Sequence, residues 1–230
     1  MKASITRIIG TTIILISMTS QLFSAEEKEV SEASPNLFNL SLQLGIGFPV
    51  SGEQAKVAKD GLSPRPDYMA EYFYGANIMI LPGTIGFEAG FTRNLMRAVS
   101  SQAKGGFSAF VWDTGIAGVL LSFQINPESQ NKTFFVVGAG INYTSLDVAQ
   151  QFKDALIASA AAQNLTISFN PDRATGIGGY FKLGGLIYLS ESIFFEAWLK
   201  VTYVNVRYPN ATKSLDNIAI DIPLGIGYSF

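Results

Sequence analysis

The chain has 230 residues, of which 48% are hydrophobic and 15% are charged, and its formal net charge is −2 at pH 7. This length fits one domain or at most two, and the charge provides no basic footprint for nucleic acid. Cysteine and histidine are both absent, which excludes a disulfide framework, a thiol nucleophile and histidine-dependent catalysis or zinc binding. We therefore expect no catalytic residues, no metal ligands and no cofactor.

The first 25 residues have the pattern of a secretory signal peptide. Lys2 and Arg7 precede an apolar stretch over residues 8–18, and the small residues Ser24 and Ala25 offer cleavage positions. The apolar stretch is too short for a spanning helix, which needs about 20 residues, and nothing after residue 25 resembles one. We predict a signal peptide over 1–25, a short acidic and polar lead-in over 26–36 and a folded domain over 37–230.

The folded domain begins with a strictly alternating segment. Apolar residues at every second position, from Phe38 to Phe48, alternate with small or polar residues. Period two predicts a strand with one apolar face. Strands of soluble sandwiches usually have about 5–6 residues, whereas a tilted strand needs about 9–11 to cross a bilayer. This strand has the longer form.

Six further segments repeat the alternation in chain order. The predicted outward residues of strands two and three are Tyr72, Tyr74, Ala76, Ile78 and Ile80, then Ile85, Phe87, Ala89 and Phe91. Those of strands four and five are Trp112, Thr114, Ile116 and Leu120, then Phe135, Val137, Ala139, Ile141 and Tyr143. Those of strands six and seven are Ile177, Phe181, Leu183 and Ile187, then Phe195, Ala197, Leu199, Val201 and Tyr203.

The connections between these strands alternate in length. Short turns fall near residues 82, 128 and 191, and long connections cover 49–67, 93–105, 145–173 and 209–217. Alternating short turns and long loops are typical of membrane barrels. In the longest connection, the four-residue spacing of Val148, Phe152 and Leu156 predicts a helix within 147–163. Such a helix caps the barrel mouth, lies on the membrane surface or binds a partner.

The last segment alternates from Ile218 to Phe230, with Pro223 predicting a bulge or a gap in the ladder because proline donates no backbone hydrogen bond. Its ending, Gly227-Tyr228-Ser229-Phe230, resembles the assembly signal of bacterial outer-membrane barrels, carried here by Ile226, Tyr228 and Phe230. Residues 37–230 thus resemble the small eight-stranded barrel family of the OmpA-transmembrane, OmpX and OmpW type. The resemblance implies an all-β, eight-stranded, antiparallel, up-and-down transmembrane barrel.

The same resemblance implies where such a barrel resides and what it contacts. An integral protein of the bacterial outer membrane, with both termini in the periplasm, is inserted by the barrel-assembly machinery and is surrounded by lipid and lipopolysaccharide. Its loops are positioned to touch host molecules or other surface ligands.

Charged residues within the predicted strands all fall on the inward face: Glu71, Glu88, Asp113, Lys182, Glu196, Lys200 and Asp221. A turn near Glu191 brings Lys182 and Lys200 nearly opposite each other, and like charges in a narrow lumen need carboxylates between them. By level along the strands, the candidates are Glu196, Asp113 and Asp221. This lumenal charge network is either a plug, which we favour because eight-stranded barrels are packed inside, or an ion path.

Three functions follow from these alternatives. The first is a plugged barrel whose surface loops serve structural, adhesive or ligand-binding roles. The second is a narrow OmpW-like conduit or pocket for small apolar molecules, for which Phe73, Phe134, Val136 and Leu186 provide inward apolar residues. The third is an outer-membrane lipid hydrolase or acyltransferase, which we rank last because the barrel enzymes known as families depend on histidine; a mechanism that uses carboxylates alone stays open. We therefore do not expect an enzyme.

Overall fold

A computed structural model describes residues 37–52, 68–100, 105–125, 132–162, 164, 166, 173–207 and 214–230. The predicted signal peptide (1–25) and lead-in (26–36) lie outside the described residues. Eight strands form one closed barrel in which each strand pairs antiparallel with its neighbours in sequence, and the first pairs with the last. The prediction of an all-β, eight-stranded, up-and-down barrel is confirmed.

The strands are longer than the alternation alone predicted. Their bounds are β1 Phe38–Ser51, β2 Tyr68–Ile80, β3 Ile85–Ser100, β4 Gly105–Gln124, β5 Thr133–Val148, β6 Ala174–Tyr188, β7 Ile193–Arg207 and β8 Leu215–Ser229. The predicted connection over 93–105 is wrong in its extent, because β3 and β4 occupy nearly all of it. The predicted helix is present as α1, Gln150–Ala161, between β5 and β6. No helix among the described residues is long and apolar enough to span a membrane.

The outer face of the barrel is apolar and exposed. Leu44, Ile141 and Ile177 are 69%, 66% and 68% exposed, and the outward residues predicted for seven of the eight strands lie on this face, the exception being β4. A soluble protein rarely leaves so large an apolar surface in water. A band of this kind is what a membrane barrel directs toward lipid.

The predicted face of β4 is wrong. Trp112, Thr114 and Leu120 are buried inside the barrel, whereas Val119 and Leu121 are exposed outside it. Both faces of β4 carry apolar residues, so period two does not distinguish inside from outside here. The Trp112 and Leu120 side chains fill space in the interior, and packing of that space decides which face turns inward.

The interior has three layers between the end with the short turns and the end with the long connections. The lower apolar cluster, at the short-turn end, consists of Met79, Leu81, Leu120, Phe134, Val136, Leu186, Tyr188, Phe194 and Trp198. The upper apolar cluster, at the long-loop end, consists of Met96, Phe110, Trp112, Leu146, Phe152, Ala174, Val204 and Val206. Polar and charged side chains lie between the two clusters, for example Thr144 and Asn142 between Leu146 and Val136 on β5.

Helix α1 packs against the upper apolar cluster at the long-loop end of the barrel. Phe152 is 1% exposed and its ring meets that of Phe110 edge-on, with 5.6 Å between centroids. Of the roles predicted for this helix, the contacts agree with a cap on the barrel mouth, because Phe152 belongs to the upper apolar cluster.

Pro223 interrupts one of the two ladders that β8 makes. It pairs in register with Gly45 of β1, but on the β7 side the ladder passes from Ala197–Leu224 directly to Lys200–Asp221. The register is the same on both sides of the interruption. The structure therefore has a gap rather than a bulge at Pro223, as expected for a residue without a backbone N–H.

Candidate functional site in the barrel interior

Lys182 and Glu88 form a buried ion pair across the lumen. The Lys182 Nζ atom lies 2.5 Å from Glu88 Oε2, and both side chains are almost fully buried. Tyr180 donates a hydrogen bond to Glu88 Oε1 at 2.8 Å, and Asn77 donates one to Oε2 at 3.0 Å. The Lys182 ammonium group also lies 3.7 Å from the centre of the Trp198 ring, a cation–π arrangement. Strands β3 and β6, which are not neighbours, are thereby linked through the interior.

A second buried pair joins Lys200 to Asp221. These residues are register partners on β7 and β8, and Lys200 Nζ lies 3.3 Å from Asp221 Oδ2. Thr202 donates a hydrogen bond to the same oxygen at 2.7 Å. The prediction that Lys182 and Lys200 lie opposite each other is confirmed by their direct pairing between β6 and β7. Each lysine binds a different carboxylate, which separates the two positive charges.

Glu71 lies near Asp221, and a neutral side chain provides its partner. Asn217 donates a hydrogen bond to Glu71 Oε1 at 3.1 Å. The two carboxylates face each other over Gly47, where a Cβ atom would lie 2.5 Å from Asp221 Oδ1 and 3.2 Å from Glu71 Oε2. Any larger residue at position 47 would displace one of them. Predicted inward glycines of this kind leave room for polar side chains from both adjacent strands.

Glu196 is buried in a similar arrangement over Gly225. Gln43 donates a hydrogen bond to Glu196 Oε1 at 2.7 Å, and among the described residues the second oxygen, Oε2, has no hydrogen-bond partner. The prediction that Glu196 lies between the two lysines is wrong, because Lys182 pairs with Glu88 and Lys200 pairs with Asp221, which leaves Glu196 with the neutral donor Gln43. Asp221 was predicted correctly as a lysine partner, and Glu88 takes the place expected of Glu196.

Asp113 lies outside the lumen, contrary to the prediction. Its inward assignment depended on the predicted face of β4, and with that face reversed it points outward. There it pairs with its register partner Arg93, with 3.3 Å between Arg93 Nε and Asp113 Oδ1. Six of the seven predicted network residues are therefore buried in the lumen, and the seventh, Asp113, lies on the outer face of the barrel.

Neutral donors complete the network, and sequence reasoning did not single them out. Tyr180, Asn77, Thr202, Asn217 and Gln43 each donate to one of the buried carboxylates. The sequence did contain a signal for them, because these residues occupy the alternate strand positions that face the lumen, as the charged residues do. Two ammonium groups pair with two of the four carboxylates, and amides serve the other two.

The polar layer leaves little open space. A cavity of about 20 Å³ lies among Glu71, Asp221, Lys200, Asn94, Thr114 and Thr202. A space of this size holds about one water molecule. Among the residues that the structure describes, no group of three or more His, Cys, Asp or Glu side chains is placed to bind a metal ion. Chemically, the layer is a set of ion pairs and hydrogen bonds around a water-sized space, and some of its buried oxygens, such as Glu196 Oε2 and Asp221 Oδ1, have no hydrogen-bond partner within the described part of the chain.

Solved structures with the same architecture include Neisserial surface protein A (NspA). NspA has a TM-score of 0.51 and 11% identity, with 84% of this chain and 97% of NspA covered. The chain has the fold of a small outer-membrane β-barrel. Because the identity is low, this likeness shows the fold and nothing finer. No family model and no curated protein matches the sequence.

Two further structural neighbours are also small outer-membrane proteins. The outer membrane protein OprG from Pseudomonas aeruginosa has a TM-score of 0.48 and 14% identity, over 88% of this chain and 99% of OprG. The attachment invasion locus protein Ail of Yersinia pestis, in complex with the heparin analogue sucrose octasulfate, has a TM-score of 0.40 and 10% identity, over 84% of this chain and 99% of Ail. The assignment of the outer-membrane barrel fold rests on NspA and on the closed barrel itself.

Proposed function

We propose that this chain is an integral protein of the bacterial outer membrane whose plugged barrel anchors its long-loop end for binding at the cell surface. The exposed apolar band supports placement in a bilayer. The barrel begins and ends at its short-turn end, where Phe230 N–H donates to the carbonyl of Phe38 at 2.9 Å. Short turns face the periplasm in bacterial barrels, so both termini are assigned to that side.

The observation that carries the proposal is the filled lumen. Two apolar clusters lie above and below the charged layer, and the cavity among the charges has room for about one water molecule. Ions need a hydrated path, and packed side chains do not provide one. A barrel with a filled lumen functions through contacts made at its long-loop end. We propose that the loops there bind host molecules or other surface ligands. We assign no catalysis to it, in keeping with the absence of histidine and cysteine.

The alternative function, a narrow conduit or pocket for small apolar molecules, has less support. Phe73, Phe134, Val136 and Leu186 do point inward and are buried. However, the ion pair between Lys182 and Glu88 crosses the bore above Phe134, Val136 and Leu186. An apolar molecule passing along the axis would have to displace this pair from its buried partners, which is costly.

Single-channel conductance tests the proposal. The refolded chain, starting at residue 26, is placed in a planar bilayer after heat-modifiable gel mobility has confirmed a folded barrel. We expect no steady conductance. A reproducible conductance that changes in Lys200→Ala or Glu196→Ala would overturn the plug and make the inward charges a permeation path. A mobility that does not change with heat, in any detergent, would contradict the membrane barrel itself.

We also propose that Ile226, Tyr228 and Phe230 act as the signal for the barrel-assembly machinery. All three are exposed on the outer face near the short-turn end, and the rings of Tyr228 and Phe230 meet edge-on with 5.0 Å between centroids. We expect Phe230→Ser to reduce the folded fraction in the outer membrane of living cells and to leave refolding of the purified chain unchanged. Phe38→Ser, an exposed residue at the same end, is the control. Equal loss in both variants would reject a specific signal.

A further inference from the structure

A charged cleft lies on the outer face of the barrel at its long-loop end. Residues of β3, β4, β5 and α1, together with Arg173 just before β6, enclose a space of about 240 Å³. The charged residues of this cleft are Arg93, Asp113, Asp147, Lys153 and Arg173. Three cations and two carboxylates leave a formal charge of +1. None of these five residues lies in the lumen, because the cleft faces away from the barrel axis.

The ion pairs within this cleft are long and partly exposed. Arg93 lies 3.3 Å from Asp113, and Asp147 lies 3.5 Å from Lys153 and 3.9 Å from Arg173. The Arg173 side chain is 57% exposed. Pairs of this type contribute little to stability, so an incoming anion can replace a carboxylate at small cost. No side chain caps the nearby N-terminus of α1 and no acidic residue lies in its first turn, which adds to the positive potential.

The surface next to the cleft is apolar. On β3 the next outward residue after Arg93 is Phe91, and on β5 the outward residues that follow Ser145 toward the short-turn end are Tyr143 and Ile141. All three are more than half exposed. A ligand that contacts both surfaces at once has an anionic head group and an apolar tail. Arginine prefers the oxygens of phosphate, which it binds in bidentate geometry.

We propose that this cleft binds the phosphate of a membrane lipid whose head group has a net negative charge, and whose acyl chains lie along Phe91, Tyr143 and Ile141. The inference rests on the proposed placement of the barrel in a membrane, and it adds a specific lipid contact to that placement. Arg93 and Arg173 hold the phosphate, while Asp113 and Asp147 lower the positive charge of the empty cleft.

Spin-label spectroscopy of lipid selectivity tests this site. The folded barrel is reconstituted in phosphatidylcholine with a trace of chain-labelled phosphatidic acid, phosphatidylglycerol or phosphatidylcholine. We expect phosphatidic acid to be immobilised in preference to phosphatidylcholine. The preference falls by about fivefold for each cation removed in Arg93→Gln and Arg173→Gln, and it rises in Asp113→Asn/Asp147→Asn. Arg207→Gln, an exposed cation of β7, is the control and leaves the preference unchanged.

Each outcome decides one part of the proposal. Equal immobilisation of all three lipids, or a preference that survives Arg93→Gln/Arg173→Gln, overturns the site. Loss of the preference on adding millimolar inorganic phosphate assigns the cleft to phosphate in solution and overturns the lipid. Absence of any immobilised fraction, even with phosphatidylcholine, means that the barrel has no lipid boundary and contradicts the proposed function instead.

Discussion

At the scale of single residues, the lumen places each charge beside a specific partner. Glu88 receives three donors, from Lys182, Tyr180 and Asn77, so its negative charge is compensated although the group is buried. Removing one member of a buried pair leaves an uncompensated charge, whereas removing both leaves none. Comparing the single variant with the double variant therefore shows whether an ion pair stabilises the barrel.

We predict that Lys182→Met lowers the free energy of unfolding by about 3–5 kcal/mol, because Glu88 then lacks its cation. The double variant Lys182→Met/Glu88→Gln is expected to recover much of this loss. Urea unfolding in lipid vesicles, followed by tryptophan fluorescence, measures both. Lys132→Met, which changes an exposed lysine, is the control. A Lys182→Met barrel as stable as the parent would contradict a structural role for the pair.

Glycines on the inward face provide the second prediction at this scale. A Cβ atom at Gly118 would lie 2.6 Å from the carbonyl oxygen of Ala139 and would collide with the Tyr180 hydroxyl group, whereas nothing lies within 4 Å of a Cβ atom at Gly115 on the same strand. We expect Gly118→Ala to destabilise the barrel by about 1–3 kcal/mol and Gly115→Ala to have almost no effect. The same urea titration compares the two variants. Equal effects would contradict the orientation of β4, in which Gly118 faces inward and Gly115 faces outward.

At the scale of elements, the buried side chain of Phe152 attaches α1 to the barrel. A helix of 12 residues is marginal in isolation, since helices shorter than about 12–15 residues need tertiary packing. Phe152 provides that packing through the upper apolar cluster, while Ile157 on the same helix is 45% exposed. The helix therefore covers the barrel mouth because its phenylalanine is buried there.

We predict that Phe152→Ala releases α1 from the barrel without unfolding the strands. The loss of a buried phenylalanine costs about 3–5 kcal/mol, which is enough to undock a short helix. Hydrogen–deuterium exchange of residues 150–161 should become fast in this variant and stay slow in Ile157→Ala, while heat-modifiable mobility remains in both. Slow exchange in Phe152→Ala would mean that other contacts hold the helix.

At the scale of the whole molecule, the apolar residues on the outer face favour a lipid surrounding over water. Leu44 lies in the middle of β1 and is 69% exposed, whereas Val50 lies near the long-loop end of the same strand and is 60% exposed. Exposure alone does not distinguish these positions, but depth in a bilayer does. A charge costs most at the midplane and little near the interface.

We predict that Leu44→Arg destabilises the barrel in lipid vesicles by about 2–4 kcal/mol, and Val50→Arg by only about 0–1 kcal/mol. Urea unfolding of the reconstituted variants gives both values. Similar costs at the two positions would show that the outward face does not sample a depth gradient, and would argue against a membrane-spanning orientation along β1.

The sequence by itself determined the barrel and most of its faces. Period two encodes a face wherever one side of a strand is apolar and the other is polar or small, as in β1 with Leu44 beside Gln43. Charges are informative in such strands because lipid does not accept them, and this predicts Lys182, Lys200 and Asp221 inside the barrel.

Only the tertiary structure decided the face of β4, the location of Asp113 and the choice of partners. On β4 both faces are apolar, so the volume that Trp112 fills inside the barrel selects the face. The contact between Glu88 and Lys182 joins strands that are not neighbours, and closure of the sheet sets that distance. Pairing along one ladder follows from register, as for Lys200 and Asp221, and Asp221 was one of the three carboxylates predicted by level along the strands. Pairing across a lumen depends on curvature and packing, which a linear pattern does not contain.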